Sequence, residues 1–309
     1  MAGDDTKAGL QRVLEALTGQ EGPLPAELPE AEISAALGED LAAPKASLGE
    51  AIRETWLEMW YQPKIDLRQK CLAGAEALAR IRHPEHGVLL PASFLPGVDE
   101  DSLVKLTEHA LLTTMRDWET FDEAGFNLRL AINVPVNQLL KLPIHDIVNE
   151  HRPKAEHWPG LIVEVTEDQV VRDIKRAQEV ATRLRVSGIT VSIDDFGAGY
   201  SSFHSLRELT FAELKLNHGF VKNCATDATN AAICQTAIDL AHRFGSAAVA
   251  EGIETMADLQ ALQIMGCDFG QGILLSPPMP LPQFMALLQQ RMNRPRAPAA
   301  ASGAASSAA

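Results

Sequence analysis

The stretch Gly188–Ser202, GITVSIDDFGAGYSS, constrains the fold of this chain more than any other. Its β-branched and apolar residues Ile189, Thr190, Val191 and Ile193 suit a strand buried on both faces, as parallel sheets place between layers of helices. Two acids follow at once, Asp194 and Asp195. Gly197 and Gly199 come next and permit a tight turn that a side chain would hinder. Carboxylates then stand at the carboxyl end of a strand, where α/β proteins build their sites. Adjacent acids repel each other when buried without a cation, so a metal ion is the natural partner. Taken alone, the stretch also fits an exposed Asp-Asp turn, and the rest of the chain has to decide.

Strand-like and helix-like runs alternate through the chain. The strands expected are Leu57–Leu67, Leu72–Arg80, Leu128–Val134, Leu161–Thr166, Ile189–Asp194, Glu213–Leu216, Ala247–Glu251 and Phe269–Leu274. The clearest helix is Val171–Val186, where Ile174, Ala177, Val180, Ala181 and Leu184 form one apolar stripe; another is expected over Asn230–Phe244. Eight strands with helical crossovers over about 240 residues predict an α/β fold, a TIM-like (β/α)8 barrel. The connection Arg68–Cys71 is too short for a parallel crossover, so the first strand should run antiparallel to the others. Residues 1–52 read as a helical extension and linker: Leu10, Val13, Leu14 and Leu17 keep helical spacing, Pro23, Pro25 and Pro29 interrupt it, and Ile33–Leu41 suits a second short helix. The barrel is expected over 53–292, and the Ala/Ser/Pro-rich tail 293–309 is expected to be unstructured.

The formal charge of −14 argues against a general nucleic-acid or anionic-membrane surface, though not against a small anion held through cations. Cys71, Cys224, Cys234 and Cys267 form no CxxC pair, so neither a disulfide framework nor a thiolate zinc site is indicated. The start MAGDDTK has no basic region followed by an apolar run, and no apolar segment is long enough to span a bilayer. A cytoplasmic location is the expectation.

Polar residues recur near the carboxyl ends of the expected strands. In strand order they are Gln62, Glu76, Asn133, Glu164 with Glu167, Asp194 with Asp195, Lys215, Glu251 and Gln271. Most sit in apolar surroundings (AEAL, LAINV, LIVEV, VSIDD, AVAEG). A buried acid costs several kcal/mol unless paired or metal-bound. Any one of these acids fits a satisfied core residue. Acids at four strand ends of one barrel crowd like charges into one mouth, and divalent cations resolve that conflict. Oxygen donors without cysteine or histidine favour Mg²⁺ or Mn²⁺ over zinc.

With these residues in hand, the chain resembles the EAL-domain cyclic di-GMP phosphodiesterases over roughly Tyr61–Pro280. The resemblance is carried by YQPKIDL at Tyr61–Leu67, Glu76-Ala77-Leu78 with Arg80, HPEHG at His83–Gly87, Asn133, EVTE at Glu164–Glu167, DDFGAGYSS at Asp194–Ser202, ELKL at Glu213–Leu216, AEGIET at Ala250–Thr255 and GCDFGQG at Gly266–Gly272. It implies a barrel with an antiparallel first strand and cleavage of cyclic di-GMP to linear pGpG, with two ions of Mg²⁺ or Mn²⁺. By position, Glu76, Asn133, Glu164 and Asp194 are implied as ligands of a first ion, and Asp194 and Asp195 serve a second. Lys215 and Glu251 are implied to orient the attacking water, with Glu76 beside them. Gln62, Leu78, Arg80, Asn217 and Gln271 fall at ligand-contacting positions, and Glu167 and Glu254 at supporting ones, Glu167 holding the loop after Asp195. A homodimer and an upstream sensor or receiver partner belong to the same expectation.

One departure matters. The family usually reads Lys-Ile-Asp where this chain has Lys215-Leu216-Asn217. Asparagine keeps the shape but removes a negative charge, which weakens attraction for the second cation. A non-catalytic cyclic di-GMP receptor is therefore the alternative to an active hydrolase, and a partner-binding module without nucleotide is a third reading, opposed by the full set of acids. Ile273 replaces a family tyrosine and reads as packing. His83 and His86, separated by Pro84, read as structural loop residues. Neither a P-loop, a Rossmann fingerprint nor a G-x-S-x-G elbow is present.

Overall fold

The computed structural model describes residues 46–197, 207 and 209–292. The expected short helices before residue 42, the tail from Asn293, and Gly199 with the rest of the loop up to Ser202 lie outside the described residues. Ten strands are described: β1 Leu57–Asp66, β2 Cys71–His83, β3 Gly87–Leu89, β4 Arg129–Asn133, β5 Leu161–Thr166, β6 Thr190–Phe196, β7 Glu213–Leu216, β8 Ala247–Ala250, β9 Phe269–Gly270 and β10 Met279–Pro280.

Eight of them close a ring. β2, β4, β5, β6, β7, β8 and β9 pair in parallel in that order, and β1 closes the barrel by pairing antiparallel with both β2 and β9. The turn Leu67–Lys70 joins β1 directly to β2, which explains the one reversed strand: four residues close a hairpin but cannot carry a crossover. The two remaining strands are short additions. β3 extends the far end of β2, and β10 pairs with Trp60 and Tyr61 of β1.

The parallel strands turn apolar residues outward under the helices and also fill much of the barrel interior with them, leaving polar and charged side chains at a few inward positions such as Glu213 and Lys215 of β7. The helix Glu100–Glu123 contributes Leu111, Met115, Trp118 and Phe121 to this shell, all buried. Tyr61 of β1 meets Phe121 edge-on at 5.3 Å between ring centroids, and its hydroxyl donates to Asp117 at 2.6 Å. Full burial of such side chains is worth about 1.5–3 kcal/mol each, so the shell is a main contributor to holding the strands in place. A smaller core joins Leu48 and Ala51, from the helix Leu48–Arg53, to Leu57, Ile81, Leu89 and Phe94.

Three expectations need correction. The eighth barrel strand was expected over Phe269–Leu274 but is only Phe269–Gly270, since the chain then folds onto Ile253. A side chain on Gly272 would come within 2.3 Å of the Ile253 backbone, so the chain there runs close against that segment instead of continuing the strand. The helix expected over Val171–Val186 is two helices, Glu167–Arg172 and Ile174–Val186. They break at Asp173, whose side chain accepts from the Arg176 N–H and caps the second. Glu167, read as a strand-end residue, opens the first of those helices.

Candidate active site

Lys215 is the centre of the site. It lies midway along β7, 1% exposed, and its ammonium faces the barrel interior. Nζ stands 2.6 Å from Glu164 Oε2, 2.6 Å from Glu251 Oε1, 3.3 Å from Glu76 Oε2 and 3.4 Å from Asp194 Oδ1. Four strand ends thus deliver four carboxylates to one cation: Glu76 from β2, Glu164 from β5, Asp194 from β6, and Glu251 just past β8. Strand alternation brings this about. In β5 the register pairs Glu164 with Ser192, and in β4 Asn133 with Glu164, so all their side chains share the inner face.

Amides complete the cluster. Asn133 Nδ2 donates to Glu76 Oε1 at 2.6 Å, and Gln271 Nε2 donates to Glu76 Oε2 at 3.0 Å. Burial by itself would push Glu76 up, but the Lys215 ammonium with the Gln271 and Asn133 donors outweighs it and takes the carboxyl down to about 2. The other acids go the opposite way. Burial pushes Glu164 well above the usual carboxylate range, and Glu76 adds to the rise. Burial also raises Glu251 to about 8 and Asp194 above its ordinary value, with Lys215 opposing both. Lys215 itself is held well above the usual lysine range, because its carboxylates overcome the cost of burial. The cluster as it stands holds more acid than one ammonium can balance.

A β-bulge sets the two adjacent acids. β6 pairs Ile193 with Leu214 and Phe196 with Leu216, so Asp194 and Asp195 together oppose Lys215. Asp195 takes φ +56°, a left-handed conformation that aspartate tolerates better than most residues. Its N–H donates to Asp194 Oδ1 at 2.9 Å, and its own Oδ1 accepts from Asn217 Nδ2 at 2.9 Å. Carboxylate oxygens of Asp194, Asp195 and Glu251 lie within 4.8 Å of one another. That group, all hard oxygen donors carrying surplus negative charge, fits a divalent cation such as Mg²⁺ or Mn²⁺. Glu251, which the sequence placed beside the water, here stands among these donors.

The turn after β6 is held from two sides. The Gly197 N–H donates to buried Glu167 Oε2 at 2.8 Å. Gly197 has φ +97°, and a side chain there would come within 2.8 Å of the Phe220 ring. Phe220 was not singled out in the sequence; no pattern distinguishes it from an ordinary packing aromatic.

The remaining expected residues rise along β1 and β2. Gln62 is the register partner of Glu76, and its Nε2 donates to the Ser276 carbonyl at 3.1 Å. Leu78, half-buried, and buried Arg80 follow Glu76 at alternate positions and so share its face. Arg80 Nη1 donates to the Ala79 carbonyl at 2.9 Å and its guanidinium lies 5.8 Å from the Trp60 ring centroid. Burial lowers Arg80 to about 10, so it stays charged at neutral pH. Asn217 Oδ1 accepts from the Gly219 N–H at 2.8 Å, so both ends of this amide are engaged by protein. Glu254 stands apart, exposed, 3.2 Å from Lys222. His83 and His86 stack at 4.4 Å, and His83 Nδ1 accepts backbone N–H groups of Glu85 and His86, a turn-building role.

No helix among the described residues is long and apolar enough to cross a membrane. The EAL domain family matches residues 45–278. The chain is 36% identical over 244 residues to the bifunctional diguanylate cyclase/cyclic di-GMP phosphodiesterase MucR of Pseudomonas aeruginosa, covering 77% of this chain and 35% of that protein. It therefore spans about a third of that relative's length. Among solved structures, a complex of the Pseudomonas aeruginosa MucR phosphodiesterase with cyclic di-GMP aligns at TM-score 0.71 and 34% identity, covering 77% of this chain and 97% of that one. A manganese and cyclic di-GMP complex of Klebsiella pneumoniae BlrP1 aligns at TM-score 0.63 and 25% identity, covering 73% and 56%. An antiparallel first strand, a lysine ringed by four strand-end carboxylates and a family match spanning both leave one assignment: the chain belongs to the EAL domain family.

Proposed function

We propose that this chain hydrolyses cyclic di-GMP to linear pGpG, with two divalent cations, Mg²⁺ or Mn²⁺, held by Glu76, Asn133, Glu164, Asp194 and Asp195. The observation that carries this reading is the Lys215 ammonium inside the ring of Glu76, Glu164, Asp194 and Glu251. Such cations would, when bound, lower the pKa of a coordinated water toward about 7 and neutralise charge on the phosphoryl oxygens. Lys215 orients the attacking water and stabilises charge next to it. Glu251, 2.6 Å from Lys215 Nζ, orients that water with it and, once cations hold the site and have displaced its own proton, accepts the water's proton. As the new phosphorus–oxygen bond forms, the bond to the leaving ribose oxygen breaks, and that oxygen takes up a proton. Arg80 faces a phosphate with its fork of donors, while Gln62, Leu78 and Gln271 line the approach. Glu167 holds the turn that carries Asp195, and Glu254 supports the neighbouring segment through Lys222.

The test is chromatography after incubation with cyclic di-GMP and Mg²⁺ or Mn²⁺. Formation of pGpG is expected; tight binding with no pGpG would reject the enzyme. That second outcome defines the other reading, a cyclic di-GMP receptor without turnover. It is favoured by one observation: Asn217, in place of an acid, spends its amide on Asp195. Calorimetry in Ca²⁺ with no dinucleotide binding would remove the receptor as well. A homodimer, an upstream sensor or receiver partner and a cytoplasmic location complete the proposal. Size-exclusion chromatography with light scattering tests the dimer.

A further inference from the structure

Directly beneath the carboxylate ring lies a second charged layer. Glu213 is two residues before Lys215 on β7, so its side chain enters the same interior about 6.6 Å lower along the strand. Lys64 is two residues beyond Gln62 on β1. Its register partner is Gly74, two residues before Glu76, which places it at the same lower level. Lys64 Nζ and Glu213 Oε1 meet at 2.5 Å, and both side chains are buried. Because β8 and β9 stand between β7 and β1 in the ring, this ion pair crosses the barrel interior. The Phe269 ring, its centroid 5.5 Å from Lys64 Nζ, closes one side.

The pairing bears on the catalytic lysine. Glu213 shares with Lys215 the inner face of the same strand, two residues away, and its Oε2 has no hydrogen-bond partner among the described residues. A buried carboxylate draws the nearest cation strongly, since leaving it unpaired is costly. Lys64 satisfies Glu213 from across the barrel and leaves Lys215 to the upper acids. We propose that Lys64 and Glu213 are positioning residues: Lys64 neutralises Glu213 so that the Lys215 ammonium stays at the mouth rather than turning down into the barrel. This rests on the hydrolytic reading of Lys215, but the layer can be tested apart from it.

The variant Lys64→Met removes the lower ammonium at similar volume. Lys215 is then expected to pair with Glu213, so that kcat falls about 10–100-fold, the range for residues that orient a metal site's ligands. Ca²⁺ binding by calorimetry is expected to tighten, because the upper carboxylates lose their ammonium. Lys64→Met combined with Glu213→Gln removes the competing acid and is expected to recover kcat. A crystal structure of Lys64→Met should show Lys215 Nζ nearer Glu213 than Glu164. If Lys64→Met only lowers the melting temperature, with kcat and Ca²⁺ affinity unchanged, or if the double variant does not recover, the proposal is overturned. Should Lys64→Met fail to fold, Glu213→Gln decides: its freed Lys64 ammonium is expected to weaken Ca²⁺ binding about tenfold, and unchanged binding overturns the idea. If the wild-type chain makes no pGpG, the functional reading falls, while Ca²⁺ affinity and the position of Lys215 still judge this one.

Discussion

Replacing Asn217 with aspartate puts the site's charge logic under direct strain. In the native chain Asn217 Nδ2 donates to Asp195 Oδ1 at 2.9 Å, while Asn217 Oδ1 caps the Gly219 N–H. Asn217→Asp keeps the cap, because the two residues cap equally well. It loses a hydrogen bond to a charged acceptor, worth about 1.5–3 kcal/mol. It also sets two carboxylates about 4 Å apart, which costs roughly 1 kcal/mol in water and about 4 near a protein surface. The side chains can turn apart, so the low end applies and the sum is about 3 kcal/mol without cations. At about 2–4 °C per kcal/mol for a domain of this size, the melting temperature should drop by roughly 6–12 °C in EDTA. A divalent ion bridging the new pair reverses this, since binding at a hundred times Kd returns about 2.7 kcal/mol. Scanning calorimetry should therefore show a large deficit in EDTA that closes in saturating MgCl₂, together with faster pGpG formation. Equal melting of variant and wild type in EDTA would refute the reasoning, and so would a deficit that Mg²⁺ leaves in place.

Other outcomes follow from the same geometry. Glu251 is raised to about 8 by burial, so the folded cation-free protein holds a proton that the unfolded chain releases near its ordinary value of 4.5. Stability from this group is complete below pH 4.5 and is lost as pH rises through 8; urea midpoints in EDTA should decline across that window, and a rising trend would contradict it. Cations that take this carboxylate must displace its proton, so Ca²⁺ calorimetry at pH 7 in buffers of different ionisation enthalpy should report net proton release. Glu167→Ala removes the acceptor for the Gly197 N–H, and kcat should fall about 10–100-fold; an unchanged kcat would show that the turn needs no such anchor. Gly197→Ala meets both a left-handed backbone and the Phe220 ring, and should cost about 1–3 kcal/mol in urea denaturation.

Much of this was legible because chemistry and periodicity coincide. Glu76, Glu164, Asp194 and Lys215 each interrupt an apolar strand, and an ionisable residue there needs company; the barrel supplies it from three other strands. The reversed first strand followed from a loop length, Arg68–Cys71, which is a chain-geometry constraint independent of packing. Less legible features depend on contacts between distant segments. The eighth strand stops at Gly270 because the backbone of Ile253 approaches Gly272, which no local propensity records. The break at Asp173 falls just before the apolar stripe begins at Ile174, and the aspartate's cap on the Arg176 N–H starts a new helix there, a capping signal that the apolar periodicity alone does not carry. Lys64 and Glu213 were present in the alternation, two residues from Gln62 and from Lys215. Without knowing which strands face each other across the interior, nothing identified them as a pair.

The charge count explains how one arrangement serves both an acidic chain and an anionic ligand. One ammonium faces four carboxylates, leaving three negative charges uncompensated if every acid is ionised. Without cations the burial of the site and this excess of negative charge push Glu164 well above the usual carboxylate range, Glu251 to about 8 and Asp194 above its ordinary value. Protons and divalent ions would compete for the same oxygens, and on the proposed reading loading with cations would turn a mouth that repels phosphate into one that attracts it. An acidic overall composition is then no obstacle to a doubly anionic dinucleotide, because the field that matters at short range is set by the loaded site rather than by the net charge. Arg80, buried and charged two alternations beyond Glu76 on β2, would on the same reading supply a donor for the phosphate that does not depend on cations. Dinucleotide affinity should accordingly depend far more on Ca²⁺ than on ionic strength, because screening acts on the exposed acids of the surface and little on charges held inside the barrel.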